Sequence, residues 1–87
     1  MKVLKEVVEV EGEGLMAFLN KPIVLFCMNY IYSGKLVGVN DTCVKLDNAH
    51  IVYETGPLTA ATWKDAQPIP GPYYVQVGAI ESFGPGK

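Results

Sequence analysis

The sequence contains no arginine. All seven basic residues are lysines, nine residues are acidic, and the formal net charge at pH 7 is −2. Arginine is the side chain best suited to bidentate pairing with phosphate. Its absence, together with the acidic balance, argues against the basic surface that general polyanion binding requires.

Charged residues of both signs are scarce: they make up 18% of the chain, whereas typical soluble domains carry about 25%. Hydrophobic residues make up 49% of the 87 positions. A chain of this length buries only roughly 60 to 65% of its unfolded surface, which leaves too little interior for so many apolar side chains. We therefore expect one domain over residues 1–87, with surplus apolar surface in subunit interfaces.

Long hydrophobic runs are also absent. The longest uninterrupted run, residues 23–28, has six residues, whereas a membrane-spanning helix needs about twenty. The N-terminus alternates charged residues with valine and lacks the apolar core of a signal peptide. These absences predict a cytoplasmic protein without a membrane partner.

Residues that commonly carry catalysis or bind metals are few. The two cysteines, Cys27 and Cys43, lack the close spacing of a zinc or redox pair, and His50 is the only histidine. No pattern in the sequence places a nucleophile beside a base. The sequence therefore predicts a non-enzymatic protein with no catalytic residue, no metal site and no cofactor.

The N-terminal part of the chain contains the only predicted helix. After an N-terminal arm over residues 1–13, the residues Leu15, Phe18 and Leu19 have the i, i+3, i+4 spacing of a helix face. This spacing predicts a short helix of about two turns. Such a helix must pack against other elements, because it is too short to be stable alone.

The remainder of the chain has the pattern of short strands separated by turn residues. The predicted strands cover residues 23–28, 31–39, 43–55, 73–77 and 79–83, and a long loop rich in proline and glycine covers residues 56–72. Glycines within a strand, here Gly34 and Gly38, indicate sharp bending. The sequence therefore predicts a mainly β fold, a strongly bent five-stranded antiparallel small barrel behind a short helix.

Residues 32–46 resemble the first motif of the Sm, Lsm and Hfq superfamily. Gly34, Leu36 and Asn40 occupy the motif positions of a glycine, a leucine and an aspartate. Residues 15–24 are similar to the family's N-terminal helix where it runs into the first strand. The chain thus resembles an Sm-like protein in the order of its elements as well as in this motif.

Residues 75–80 resemble the second motif of the family, in which an Arg-Gly pair separates the last two strands. Here Val77-Gly78 stands where the family has an Arg-Gly pair, and Cys43-Val44 stands where it has Met-Asn. The chain therefore resembles a divergent member that lacks the usual RNA-binding asparagine and arginine.

The resemblance implies a homo-oligomeric ring, in which the fourth predicted strand of one protomer pairs with the fifth strand of the next. The residues implied in this interface are Tyr73, Tyr74, Val75, Val77, Ile80 and Phe83. A head-to-tail interface of this kind leaves no open sheet edge once the ring closes.

The resemblance also implies single-stranded RNA as a partner, bound at the inner rim of the ring. There the turn after the second strand meets the turn between the last two strands. The candidate RNA-binding residues are Asn40, Asp41, Thr42, Lys45 and Gly78. We therefore expect a role in RNA binding or RNA metabolism.

An alternative function is a structural or adaptor oligomer that binds a protein partner and no RNA. The missing arginine favours it, and the long loop offers a partner surface at Trp63 and Lys64. A second interpretation of Trp63 is that it folds back over its own domain or a neighbouring subunit, since the chain has little core.

Overall fold

The computed structural model describes residues 13–87 of the chain. The strands, numbered in chain order, are β1 (Pro22–Cys27), β2 (Ile31–Val39), β3 (Cys43–Glu54), β4 (Asp65–Pro68), β5 (Tyr73–Gln76) and β6 (Ile80–Pro85). Two 3₁₀ helices, Gly14–Phe18 and Val77–Ala79, precede β1 and connect β5 to β6. The prediction of a mainly β fold is confirmed.

All six strands belong to one antiparallel sheet: five follow the order β4-β3-β2-β1-β6, and β5 pairs with β3 beside this row. The long strand β3 has two partners on the same side. Its first residues, from Cys43 to Leu46, pair with β5, and its last residues, from His50 to Glu54, pair with β4. The sheet therefore has β6 at one edge and both β4 and β5 at the opposite edge.

A bulge in the pairing of β2 with β3 bends the sheet. The pairing register shifts between Ser33 and Lys35, around Gly34. A Cβ atom added to Gly34 would lie 2.9 Å from the backbone oxygen of Asp47. Opposite this point Asn48 has a φ of 52°, a left-handed conformation that asparagine tolerates better than most residues. Gly34 permits the close approach of the two strands, and Asn48 permits the left-handed backbone opposite it. Therefore β3 continues through the bend as one strand.

The hydrophobic core lies on one face of the sheet. Its fully or nearly fully buried members come from β1, β2, β3 and β5: Ile23, Leu25, Leu36, Val44, Leu46, Ala49 and Val75. Leu15 and Phe18 of the first 3₁₀ helix pack against this core, and Phe18 makes an edge-to-face contact with Phe83. The N-terminal segment therefore covers one end of the core.

The predicted two-turn helix is a single five-residue 3₁₀ helix, and no α-helix occurs within residues 13–87. Gly14, the first residue of this helix, has a φ of 71°, and Asn20, two residues after its end, has a φ of 65°. Left-handed backbone interrupts a right-handed helix, so only residues 15–19, little more than one α-helical turn, remain between these two positions.

The prediction of five strands is wrong, because residues 65–68, within the predicted loop over residues 56–72, form a further strand that pairs with β3. The last strand begins at Ile80, later than expected, because residues 77–79 form a 3₁₀ helix. Within the described part of the chain β5 and β6 do not pair with each other. The sheet is consequently open, where the sequence predicted a barrel.

The predicted N-terminal arm lies outside the described residues, apart from Glu13. Among the residues that the structure describes, no helix has the length and apolar character needed to cross a bilayer.

Candidate functional site

The turn between β2 and β3 is organised by the side chain of Asn40. Its Oδ1 accepts hydrogen bonds from the backbone N–H of Thr42 (2.8 Å), from the Thr42 hydroxyl (3.0 Å) and from the N–H of Cys43 (2.9 Å). This is an Asx turn, in which a side-chain oxygen replaces a backbone acceptor. Asn40 therefore shapes the turn through its amide oxygen.

The same turn is held against the connection between β5 and β6. The N–H of Val77 donates to the carbonyl of Thr42 at 2.8 Å. A cavity of about 640 Å³ opens beside this contact, with Asp41, Thr42, Cys43, Tyr74, Gln76 and Gly78 around it. Three of the five predicted RNA-binding residues thus line one cavity, which we call the rim cavity.

Lys45 lies beside the rim cavity and does not line it. Its Nζ is 5.9 Å from the centroid of the Tyr74 ring, a distance at which a cation is still attracted to an aromatic face. The only charged residue among those lining the cavity is Asp41. The rim cavity itself therefore offers no cation to a phosphate, and the predicted cation, Lys45, lies beside it at the Tyr74 ring.

A second cavity, of about 250 Å³, also adjoins β5. Its lining is dominated by four tyrosines, and the full set is Cys27, Met28, Asn29, Tyr30, Tyr32, Tyr73, Tyr74, Val75, Gln76 and Ala79. None of these residues is acidic or basic. We call this cavity the tyrosine cleft.

The tyrosines of the cleft are in mutual contact. The ring centroids of Tyr30 and Tyr32 are 6.2 Å apart, and those of Tyr32 and Tyr73 are 5.6 Å apart. Tyr30 and Tyr74 are more than half exposed, so their rings are accessible to a ligand. Together with the amides of Asn29 and Gln76, this surface can stack on a planar ring and hydrogen-bond to its edge.

Sequence reasoning missed the tyrosine cleft. The tyrosine-rich segments 30–32 and 73–74 are visible in the sequence, but more than forty positions separate them. They meet because β2 and β5 both pair with β3. Clustering of aromatic residues at two strand ends was the one signal available.

Burial of the Tyr32 side chain, and next the proximity of Tyr73, raise the pKa of Tyr32 to about 12. In the unfolded chain a tyrosine ionises at about 10. The unfolded chain therefore loses this proton first, and the stability that Tyr32 contributes below about pH 10 is lost as the pH rises towards about 12.

We expect the free energy of unfolding, measured with urea at about pH 9 and about pH 11, to fall less with pH in Tyr32→Phe than in the parent. Phenylalanine keeps the aromatic ring but lacks the hydroxyl group that ionises. An equal fall in both proteins would contradict the shifted pKa.

The cleft contains no activated nucleophile. Burial raises the pKa of the Cys27 thiol, which disfavours the reactive thiolate. The one histidine, His50, has its Nδ1 at 3.1 Å from the carbonyl of Asn48 and does not line the cleft. Within residues 13–87 no cluster of three metal-ligating side chains occurs.

The predicted partner surface at Trp63 and Lys64 is divided by the fold. Trp63 turns back onto β2, where its Nε1 donates to the hydroxyl of Ser33 at 3.1 Å. Lys64 faces solvent and pairs with Glu54 at 3.3 Å, an exposed ion pair that stabilises the fold little. The structure thus has Trp63 folded back, as the second interpretation had it.

The residues predicted for the oligomer interface have different environments. Val75 is 5% exposed and belongs to the core, and Tyr73, Val77 and Ile80 pack against that core. Tyr74 and Phe83 remain exposed. An interface at this place would therefore use the strand edges and the two exposed aromatic rings.

No protein-family model, curated protein or solved structure matches this chain.

Proposed function

We propose that this chain is a non-enzymatic, Sm-like protein that forms a homo-oligomeric ring and binds single-stranded RNA. The observation that carries the proposal is the position of Tyr74 and Gln76. These two residues lie on an edge strand and line both the rim cavity and the tyrosine cleft. A continuous surface of turns and aromatic rings therefore adjoins a strand edge available for assembly.

The ring is supported by the two open edges of the sheet. At one edge β6 pairs only with β1, and at the opposite edge β5 pairs only with β3 within the described residues. Open edges present unpaired N–H and C=O groups that favour pairing with another chain. In a head-to-tail contact, one edge of a protomer pairs with the opposite edge of the next protomer. Repetition of this contact gives a ring when the rotation between protomers closes. This is the pairing that the Sm-like resemblance implies.

RNA binding is supported mainly by stacking. Base stacking on aromatic side chains tolerates any sequence and needs no arginine. The cleft offers several rings with two neighbouring amides, whereas Lys45 is the one predicted cation at the rim. We therefore propose that the tyrosine cleft holds the RNA bases. The Asn40–Thr42 turn and Lys45 lie along the sugar-phosphate backbone of the RNA.

The adaptor alternative is favoured by the charge, because a ring of about six subunits with a net charge of −2 each would repel a polyanion. Its proposed anchor, however, is folded back onto β2, where Trp63 donates a hydrogen bond to Ser33. The alternative would therefore have to use another surface of the loop or the N-terminal arm.

Native mass spectrometry of the protein purified from cells tests both parts of the proposal. We expect a closed oligomer whose mass is an integral multiple of the protomer mass, with nucleic acid attached to part of the population. A monomer would overturn the ring. A ring without nucleic acid, whether co-purified or added at low salt, would favour the adaptor.

A further inference from the structure

The side chain of Lys87 ends among three backbone carbonyl groups. Its Nζ lies 3.2 Å from the carbonyl oxygen of Thr55, 2.9 Å from that of Pro57 and 3.0 Å from that of Thr62. A lysine ammonium has three N–H donors. Each donor is thus matched by one acceptor, and all three acceptors belong to the segment between β3 and β4.

A fourth side of this site is closed by an aromatic ring. The Lys87 Nζ is 4.3 Å from the centroid of the Trp63 indole, well inside the range of about 6 Å for cation–π attraction. The indole is itself held by its hydrogen bond to Ser33. We call the carbonyl groups of Thr55, Pro57 and Thr62 together with the Trp63 ring the ammonium cage.

The cage binds the cation without a carboxylate. Within residues 13–87 the single ion pair closer than 4 Å joins Lys64 to Glu54, and Lys87 has no acidic partner there. The positive charge is instead balanced by the negative ends of the carbonyl dipoles and by the face of the indole. Such a site recognises N–H geometry as well as charge.

The backbone before Lys87 is fixed in a direction that leads into the cage. The N–H of Gly86 donates to the carbonyl of Pro22 at 3.1 Å. A Cβ at Gly86 would lie 2.8 Å from the backbone nitrogen of Ile23, so this residue lies flat against β1. The packing of Gly86 against β1 therefore fixes the position from which the Lys87 side chain extends into the cage.

The cage is also reachable from solvent. Two cavities, of about 240 and 390 Å³, adjoin it, and His50, Trp63 and Lys87 line both. A small cation could enter from either side if the lysine side chain were absent.

We propose that the ammonium cage is a binding site for primary ammonium groups, which Lys87 occupies in cis and which a free alkylammonium ion fills when that amine is removed. A primary ammonium donates to all three carbonyls. A quaternary ammonium keeps the attraction to Trp63 but has no N–H to donate. The site therefore selects primary over quaternary ammonium.

Occupation of the cage fastens the segment of residues 55–63 to the sheet. Loss of the amine removes three charge-assisted hydrogen bonds at once and leaves Trp63 held by Ser33 alone. Acetylation or trimethylation of Lys87, which removes donors, opens the same contact. The closed position of this segment thus depends on an unmodified amine at position 87.

The first experiment uses Lys87→Ala and the fluorescence of Trp63, which is the only tryptophan in the chain. We expect a changed Trp63 emission and a melting temperature lower by about 4 to 8 °C. Methylammonium chloride should reverse both changes saturably at roughly millimolar or higher concentration, since it must replace a tethered amine. Tetramethylammonium chloride at the same ionic strength should reverse neither.

Either of two results would overturn the proposal: Lys87→Ala behaves like the parent, or the two salts act alike. A measurement on the parent protein covers the case in which the variant fails to fold. With ¹⁵N-labelled lysine, NMR should show the Lys87 ammonium exchanging more slowly with water than that of the exposed Lys64, and its ε protons shifted upfield by the indole. Equal exchange of the two amines would also refute the proposal.

Discussion

Replacing Gly34 by alanine is expected to lower the free energy of unfolding by about 1 to 3 kcal/mol. The added Cβ would lie 2.9 Å from the Asp47 carbonyl oxygen and 3.2 Å from the Cα of Ala49. Both of these atoms belong to the backbone of β3, which cannot turn away as a flexible side chain could. The bend must therefore open, and every core contact across it must shift.

Gly38→Ala is the matched control, because it makes the same substitution in the same strand. There the Cβ would find only the Cβ of Lys45, at the ordinary distance of 3.6 Å. We expect no loss, or a gain of about 0.4 to 1 kcal/mol through the unfolded state. Urea unfolding at equal protomer concentration gives the comparison, since assembly adds to apparent stability. Equal stabilities of the two variants would show that the crossing at Gly34 is not tight.

Replacing Tyr30 by alanine is expected to weaken the binding of single-stranded RNA by about 5- to 150-fold. This range corresponds to the roughly 1 to 3 kcal/mol that one stacked base contributes. Tyr30 lines the tyrosine cleft and is 52% exposed, so its removal takes away a stacking surface at little cost to the core. Fluorescence anisotropy of a labelled mixed-sequence RNA at low salt measures the loss.

Tyr53→Ala provides the control for exposure and residue type. Tyr53 is 53% exposed but lies outside the cleft, and we expect its removal to leave RNA affinity nearly unchanged. The logarithm of the RNA association constant should fall with the logarithm of the salt concentration, with a slope of about 0.7 per phosphate neutralised. If Lys45 is the main cation, this salt dependence is weak. Equal losses in both variants would reject the cleft as the binding surface, and a parent protein that retains no RNA would reject RNA binding itself.

The positions of the first three strands were predictable because their signals are local. Strands β1 and β2 begin and end within one residue of the predicted bounds, and the third was expected as one strand over residues 43–55 and observed as Cys43–Glu54. Each is a run of aliphatic and aromatic residues between turn residues. The glycine that signalled bending, Gly34, lies at the register shift.

The fourth strand was not predictable from its own residues. Asp-Ala-Gln-Pro, residues 65–68, contains no β-branched or aromatic side chain and lies in a segment rich in turn formers. It is extended because the end of β3 offers a row of hydrogen-bonding partners, from His50 to Glu54. A strand formed in this way owes its existence to its neighbour.

The candidate site likewise has one part that was predictable from the sequence and other parts that were not. Contact between the turn after β2 and the turn before β6 was expected from the Sm-like resemblance, and the bond from Val77 to Thr42 makes it. The tyrosine cleft and the ammonium cage had no comparable signal. Tyr32 meets Tyr73, and Lys87 meets Thr55, only after the sheet has bent.

The sequence by itself determined a β-rich chain without arginine, with a glycine placed for a sharp bend and with more apolar surface than its length can bury. These properties follow from composition and from the period of side chains along the backbone. The tertiary structure alone decided that the sheet stays open, that Trp63 is held against Ser33, and that four tyrosines share one cleft. Hydrogen bonds and ring contacts between residues distant in the chain depend on the path of the backbone through space, which local patterns do not encode.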